Sequence, residues 1–255
     1  MRQMRQILII GGGASGLTAA VSAARAGAKV TVLEQNKQAG KKLLVTGNGR
    51  CNLTNRNQEL SHYRGSSPEF IETALNAFGL TETLDFFRSL GIVTRDREDY
   101  LYPYSDQASS VADALRIEAE HLRVKLALNT RAKRICRENG RFLVETPGWT
   151  YEGDALILAA GSCAAPETGS DGSGYSFAKA MGHRVIEPLP ALVQLRSKEP
   201  EFPKLKGLRM EAGVSLFSGE VLLAEDRGEV QFTEYGLSGI PVFQVSRYGA
   251  AALRQ

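Results

Sequence analysis

The sequence predicts an α/β fold in which a parallel sheet comes first and a smaller β-rich region follows. Residues 7–10 are a short apolar run that indicates a buried strand, and a glycine-rich turn follows them. Apolar residues then recur at helical spacing, at Leu17, Ala20, Val21 and Ala24. Residues 29–33 form a second apolar run. Strand, turn, helix and strand in this order are typical of a Rossmann-like domain.

The turn carries a Gly-x-Gly-x-x-Gly pattern at Gly11, Gly13 and Gly16. The first glycine allows a tight turn, the second lets the backbone approach a pyrophosphate, and the third lets the helix pack against the strand. Free N–H groups at the start of the helix then face the phosphates. Glu34 ends the second strand, near the position, about 20 residues on, expected for an acid that binds ribose hydroxyls. The pattern predicts a dinucleotide site that disfavours NADP, with a tight βα turn without ligand as the alternative.

Composition bounds the class of protein. The 255 residues include 31 Lys and Arg against 28 Asp and Glu, a net charge of +3. The basic runs are short and lack interleaved aromatic side chains, so we expect no nucleic-acid partner. No apolar run reaches the roughly 18 residues of a membrane helix, and the N-terminus runs directly into the first strand without an apolar signal region, so we expect no export. The three cysteines, Cys51, Cys136 and Cys163, are far apart, which argues against a disulfide framework or metal site and favours the cytoplasm.

A long segment without regular periodicity, residues 35–55, follows Glu34. Loops of this length in a compact domain are usually functional or disordered. Its glycines, asparagines and cations predict a second wall of the cofactor site, with Lys42 or Arg50 near pyrophosphate or flavin. The alternative is a solvated basic loop.

Two short amphipathic helices are expected next, ended by Gly79 and Gly91 as C-terminal caps. Residues 92–93 indicate a short strand. Residues 100–105 predict an aromatic turn, which either lines a substrate pocket or packs on a neighbouring element.

A further helix is predicted over residues 109–122, with Ser109 or Ser110 as its N-cap. It leads into a third candidate parallel strand at residues 124–128.

Residues 130–151 alternate in polarity between turn signals and predict a β-meander in place of a crossover helix. Residues 154–161 then return to a buried strand that ends in small residues. This combination favours a two-dinucleotide flavoprotein over an ordinary NAD dehydrogenase, which repeats βαβ units. The glycine-rich residues 166–175 open a helix and form either a second anion cradle or a connector.

From about Glu187 the composition turns to β, which predicts a dinucleotide-binding domain over residues 1–187 and a small β-rich domain over residues 188–255. Pro241 occupies the favoured first turn of a final helix. We expect strands near residues 192–195, 214–217, 221–223 and 230–232, with turns at residues 218–219 and 226–228.

With these motifs, the sequence resembles the HI0933-like (BaiN/aminoacetone oxidase) family of NAD(P)/FAD-dependent oxidoreductases. The most specific match is residues 46–55, Thr-Gly-Asn-Gly-Arg-Cys-Asn-Leu-Thr-Asn, and residues 166–175 and 232–239 extend it. The resemblance implies a Rossmann-like FAD-binding domain with a β-meander and an incomplete small β-rich domain. It also implies FAD as cofactor, NAD(P)H as electron donor, and a small-molecule substrate that is reduced at a C=C bond or oxidised.

The resemblance further implies where each part of the FAD is bound. On the pyrophosphate it places Gly11, Gly13, Ala14, Ser15 and Gly16, and on the adenosine ribose Glu34 and Gln35. Along the phosphates and flavin it places Lys42, Leu43, Thr46, Gly47, Asn48, Gly49, Arg50, Cys51 and Asn52. Near adenine it places the backbone of Ala132, and beside the cofactor Ala160 and Gly161.

No residue pattern indicates a catalytic triad, and His62, His121 and His183 lie in unrelated segments, where we expect structural or surface roles. Cys51 is expected to pack as a small buried residue rather than to face the flavin. Arg50 and Asn52 are the candidates for polar contacts near the flavin ring.

Tyr102 and Tyr104 are candidates for the substrate side.

Members of the family continue past the point at which this sequence stops, so we expect a truncated chain whose flavin site lacks one wall. Two further functions remain open: an NAD-linked Rossmann dehydrogenase and a non-catalytic nucleotide-binding fragment.

Overall fold

The computed structural model describes residues 4–65 and 67–254, and the chain divides into two compact units, Met1–Val185 and Ile186–Gln255. The strands of the first unit are β1 (Gln6–Ile10), β2 (Lys29–Leu33), β3 (Thr54–Asn55), β4 (Thr94–Arg97), β5 (Tyr100–Pro103), β6 (Lys125–Ala127), β7 (Arg134–Glu138), β8 (Arg141–Glu145), β9 (Thr150–Gly153) and β10 (Ala155–Leu158). Its helices are α1 (Ala14–Arg25), α2 (Pro68–Ala77), α3 (Leu80–Ser89), α4 (Ala108–His121) and α5 (Ser173–Ala180).

The central sheet is parallel and has the strand order β10-β1-β2-β6. Ile9 pairs with Val32 on one side and with Ile157 on the other. Parallel strands are covered on both faces, which is why their sequences are continuous apolar runs. The predicted strands at residues 124–128 and 154–161 are confirmed as β6 and β10.

The two faces of the sheet are covered by different elements because side chains alternate along β1. Ile9 packs with Val21 of α1 and Ala119 of α4. The neighbouring Leu8 and Ile10 point to the opposite face, where Ile135 and Val144 of the antiparallel sheet β7-β8-β9 cover them. The predicted β-meander is therefore confirmed, and the Rossmann-like α/β fold with it.

Residues 100–103 of the aromatic segment form a strand, so the turn predicted over residues 100–105 is confirmed only at residues 104–105. β5 is the central strand of a small antiparallel sheet, β3-β5-β4. The predicted strand at residues 92–93 is also displaced, because pairing begins at Thr94, opposite Pro103. Leu101 anchors this sheet and is 1% exposed.

Of the three helix caps predicted from the sequence, the structure confirms one and shows that two are wrong. Gly79 is the N-cap of α3, not the C-cap of α2, and its N–H donates to Glu82 Oε2 at 2.9 Å. Gly91 has φ +79° and follows α3 in the left-handed conformation expected after a helix. Gln107, rather than a serine, is the N-cap of α4.

The second unit contains β11 (Leu195–Arg196), β12 (Arg209–Ser218), β13 (Val221–Thr233), β14 (Gly236–Gly239) and α6 (Ile240–Ala252). The sheet is antiparallel, in the order β11-β14-β13-β12. Pro241 lies in the first turn of α6, and Gly219 turns the β12–β13 hairpin with φ +60°. The turn predicted at residues 226–228 is wrong, because these residues continue β13 opposite residues 212–214.

Within the described residues, no helix is long and apolar enough to cross a bilayer. The same part of the chain contains no group of three His, Cys, Asp or Glu side chains arranged to hold a metal ion.

Candidate functional site

A cavity of about 330 Å³ opens at the carboxyl ends of the parallel strands. Ligands of open α/β sheets bind at this edge. The cavity is bounded by the turn after β1, the end of β2, residues 40–46, residues 130–132, the end of β10 and the loop before α5.

The three glycines of the first turn have separate geometric roles. Gly11 has φ +100°, and a Cβ there would lie 2.4 Å from the carbonyl oxygen of Ala159. A Cβ on Gly16 would lie 1.9 Å from the carbonyl oxygen of Gly11. Gly13 lines the cavity, and a Cβ there would have no atom within 4 Å. The first glycine therefore lets the turn pack against the end of β10, the third lets α1 pack against the turn, and the second leaves an open backbone surface.

The N-terminus of α1 supplies hydrogen-bond donors to this cavity. Gly13 is the N-cap in an extended conformation, and the N–H of Leu17 donates to its carbonyl oxygen at 2.9 Å. The N–H groups of Ala14, Ser15 and Gly16 precede this first intrahelical bond, so the helix itself provides no acceptor for them. Ala14 and Ser15 line the cavity, where the positive end of the helix dipole favours an anion.

Glu34 lies at the end of β2 and is 7% exposed. Its Oε2 accepts the N–H of Gly12 at 2.7 Å. Its Oε1 accepts both the backbone N–H and the side-chain amide of Asn36, each at 2.7 Å. A carboxylate has about four acceptor positions, so this group fixes the turn and retains capacity for a hydroxyl.

A loop of residues 167–171, here called the strap, lies across the end of β2. The amide of Gln35 donates to the carbonyl of Gly169, and the Lys41 ammonium donates to the carbonyl of Glu167 at 2.7 Å. Gly169 has φ +98°, and a Cβ there would lie 2.4 Å from the Asn36 amide nitrogen. The left-handed backbone and this contact together favour glycine at this position of the strap.

Asp171 and Arg131 fasten the end of the strap. The Arg131 guanidinium donates to Asp171 at 2.5 Å and to the Gln35 side-chain oxygen at 3.1 Å. Hydrogen bonds from Ser173, and then the Arg131 guanidinium, lower the pKa of Asp171 to about 2. The strap is therefore held by an ionised carboxylate at neutral pH.

The segment 46–52 makes a sharp turn directly after Thr46, which lines the cavity. Gly47, Asn48 and Gly49 have φ values of 54°, 55° and 82°, a run of left-handed residues that suits glycine and asparagine. Thr46 lines the cavity, and its hydroxyl donates to the carbonyl of Leu43 at 2.6 Å. Residues 47–50 are exposed.

Cys51 packs in the core, as predicted. It is 3% exposed and lies in a cluster that includes Leu17 and Val111. Burial raises the pKa of its thiol. The thiol is therefore a protonated packing group at neutral pH.

Most of the residues expected at the cofactor line the cavity. These are Gly11, Gly13, Ala14, Ser15, Glu34, Gln35, Lys42, Leu43, Thr46, Ala132, Ala160 and Gly161. Gly16, Gly47, Asn48, Gly49, Arg50, Cys51 and Asn52 are not among its lining residues. His62, His121 and His183 also lie elsewhere.

Sequence reasoning missed several lining residues, among them Gly12, Asn36, Arg131 and Phe177. Gly12 and Asn36 give no separate signal, because Gly12 occupies an unspecified position of the fingerprint and Asn36 lies in the loop after β2. The glycine-rich residues 166–175 are predicted to form either an anion cradle or a connector, and Thr168, Gly169, Ser170 and Ser173 line the cavity.

Comparison with known proteins agrees with this fold. The HI0933-like protein Rossmann domain matches residues 5–247. A flavocytochrome c3 fumarate reductase shares the fold, with a TM-score of 0.51 and 16% identity, over 82% of this chain and 47% of that one.

Two curated relatives align along nearly the whole chain. The chain is 48% identical over 252 residues to the 3-dehydro-bile acid delta(4,6)-reductase of Clostridium scindens, covering 98% of this chain and 62% of the relative. It is 31% identical over 245 residues to the ribosomal RNA dihydrouridine synthase of Escherichia coli, covering 94% of this chain and 60% of the relative. The chain thus spans about three fifths of the length of these relatives. The family match, over nearly the whole chain, shows that this protein belongs to the HI0933-like family.

Proposed function

We propose that this chain is the FAD-binding part of a flavoprotein oxidoreductase that reduces a C=C bond conjugated with a carbonyl group. The observation that carries the proposal is the cavity in which the open Gly13 backbone, the N-terminus of α1 and the buried Glu34 carboxylate meet. These groups match the pyrophosphate and ribose of a dinucleotide.

The residues of the cavity fit the adenosine and pyrophosphate portions of FAD. Gly13, Ala14 and Ser15 would hold the pyrophosphate, Glu34 the ribose, and the backbone at Ala132 would lie near the adenine. Residues 46–52 would extend toward the flavin, with Arg50 and Asn52 as the candidate polar contacts. FAD supplies the hydride chemistry when bound, while the chain binds and orients it and excludes water.

The names of the relatives support this reaction class. One describes the reduction of double bonds at positions 4 and 6 of a 3-oxo compound, and the other the formation of dihydrouridine. In both cases hydrogen is added across a C=C bond conjugated with a carbonyl group. NAD(P)H would supply the electrons.

We further propose a small-molecule substrate rather than RNA, and a cytoplasmic location. The identity of 48% to the bile acid enzyme exceeds the 31% to the RNA enzyme. The cations and acids of the chain also nearly balance, at 31 and 28, whereas nucleic-acid binding relies on clustered positive charge. Three free thiols suit a reducing compartment.

The proposal is tested with the purified 255-residue chain. We expect it to bind FAD with the yellow flavin spectrum, to lose that absorption with NAD(P)H under anaerobic conditions, and to recover it when a 3-oxo-4-ene steroid is added. A uridine-containing RNA is the parallel substrate, and recovery with RNA alone would contradict the small-molecule proposal. Tight binding of NADH without FAD would favour an ordinary Rossmann dehydrogenase instead.

A further inference from the structure

One face of the small sheet β3-β5-β4 collects cationic and aromatic side chains. Arg95 pairs with Tyr102 and Arg97 pairs with Tyr100, so these four residues share a face. The pair between these two, Asp96 with Leu101, points to the opposite face, and Leu101 is buried there. We call the first side the Arg–Tyr face.

Two guanidinium groups on this face converge on one carboxylate. Arg95 donates to Asp106 Oδ2 at 2.8 Å, and Arg97 donates to the same oxygen at 2.6 Å. The three side chains carry a net charge of +1. Asp96, on the opposite side of the sheet, is paired with Arg56, so its charge is compensated there.

Both arginine side chains are partly exposed. The Arg95 and Arg97 side chains are 36% and 35% exposed. Each guanidinium has five N–H donors, and each makes one side-chain hydrogen bond to Asp106 within the described residues. Asp106 therefore holds the pair in place, and the other guanidinium N–H donors of the two arginines make no hydrogen bond to the described residues.

Aromatic rings flank the cations. The Cζ atom of Arg95 is 5.9 Å from the ring centroid of Tyr104, and that of Arg97 is 5.8 Å from the centroid of Tyr102. Tyr104 is 68% exposed. Aromatic surface beside two oriented guanidiniums suits a ligand with an apolar body and an oxyanion.

The Arg–Tyr face adjoins the turn proposed to lie along the flavin. A Cβ on Gly47 would lie 3.3 Å from the Tyr102 ring. The N–H of Leu53 donates to the carbonyl of Leu101 at 2.8 Å, which joins the end of segment 46–52 to β5. A substrate at that turn would lie within reach of this face.

We propose that Arg95 and Arg97 anchor an oxyanion of the substrate, a carboxylate or a phosphate, with Tyr102 and Tyr104 packing against its apolar part. Asp106 positions the two guanidiniums. The inference rests on the proposed function for its substrate class, but oxyanion binding itself is measurable without turnover.

Calorimetric titration of the 255-residue chain, with and without FAD, tests the anchor. The probes are a 3-oxo-4-ene steroid carboxylic acid against its methyl ester, and uridine monophosphate against uridine. We expect the charged member of one pair to bind about 10-fold to 100-fold more tightly than its neutral partner, as for a charge-assisted hydrogen bond. Preference within the steroid pair identifies a carboxylate, and preference within the uridine pair identifies a phosphate.

Joint replacement Arg95→Gln and Arg97→Gln should abolish that preference and leave binding of the neutral partner unchanged. Arg134→Gln is the matched control, because Arg134 is an exposed arginine paired with Glu145 on the β-meander. If the double variant does not fold by circular dichroism, each single variant should lose part of the preference.

Equal binding of acid and ester, and of nucleotide and nucleoside, by the unaltered chain would overturn the anchor. An unchanged preference in folded variants would overturn it as well. A chain that binds no FAD would contradict the proposed function. It would not decide the question of the anchor, because the titrations without FAD measure oxyanion binding separately.

Discussion

Gly13 and Gly16 belong to one fingerprint, but the surroundings of their α-carbons differ. The space that a Cβ of Gly16 would occupy is filled by the Gly11 carbonyl, whereas the space that a Cβ of Gly13 would occupy is empty. A methyl group therefore meets backbone at one position and ligand space at the other. Substitution of Gly16 should therefore mainly lower stability, and substitution of Gly13 should mainly weaken ligand binding.

We expect Gly16→Ala to lower the free energy of unfolding by about 1–3 kcal/mol, as overpacking does, because a Cβ would lie 1.9 Å from backbone oxygen. Gly13→Ala should cost less than about 1 kcal/mol, the scale of an N-cap change, yet weaken FAD binding. Urea denaturation and FAD titration of both variants measure this. Equal loss of stability in the two would contradict the assignment.

The ionised Glu34 side chain can accept hydrogen bonds but cannot donate them. Glutamine has the same shape but no charge and donates through its NH₂ group, so Glu34→Gln tests whether both carboxylate oxygens are needed as acceptors. In Glu34→Gln one of the two oxygens becomes an NH₂ group that faces the N–H of Gly12 or the donors of Asn36. We expect a loss of about 1–3 kcal/mol in unfolding free energy, the cost of unsatisfied buried groups, together with weaker FAD binding. Glu152→Gln, at an exposed ion pair on β9, is the control and should change neither.

At the scale of elements, the strap depends on charge at Asp171. The folded-state pKa of about 2 lies below the ordinary value of 3.8. Ionised Asp171 therefore stabilises the fold fully above the ordinary pKa, and this contribution is lost as the pH falls toward 2.

We expect Asp171→Asn to be less stable than the unaltered chain at neutral pH, with the difference shrinking between about pH 4 and pH 2. Urea denaturation across this range measures it. Asp113→Asn is the control, since Asp113 is an exposed partner within one turn of α4 and should have little effect. A difference that is constant with pH would show that the charge of Asp171 is not what holds the strap.

The elements that could be predicted from the sequence are those with local signals. Apolar runs, the glycine fingerprint and the meander turns specify β1, α1, β2 and β7–β9 within short windows. Residues 226–228 carry turn-forming residue types, yet pairing with β12 holds them extended. The strap contacts were hidden for a similar reason, because Gln35 and Gly169 are 134 residues apart.

The Arg–Tyr face shows the same limit in the candidate site. Along the chain, basic runs lack interleaved aromatic residues, and residues 100–105 look like an isolated aromatic turn. The mixture arises across strands, where Arg95 meets Tyr102 in register. Such pairing depends on sheet register, which hydrophobic pattern and turn geometry set together.

At the scale of the whole molecule, the residues that line the cavity run from Ile10 to Phe177 and all belong to the unit Met1–Val185. We expect a chain ending at Val185 to fold and to bind FAD as tightly as the 255-residue chain. Fluorescence titration of both chains, with circular dichroism as the check on folding, measures this. A folded shorter chain with much weaker binding would place part of the FAD site beyond Val185.

The order of strands in the central sheet has a consequence for folding during synthesis. β1 can pair with β2 early, but its other edge pairs with β10, and Asp154 bonds back to Gln6 across 148 residues. Translation at about 5–20 residues per second leaves that edge without its partner for about 7–30 seconds. An open apolar edge is a template for pairing with another chain. Nascent chains of this protein should therefore depend on chaperones until β10 has left the ribosome.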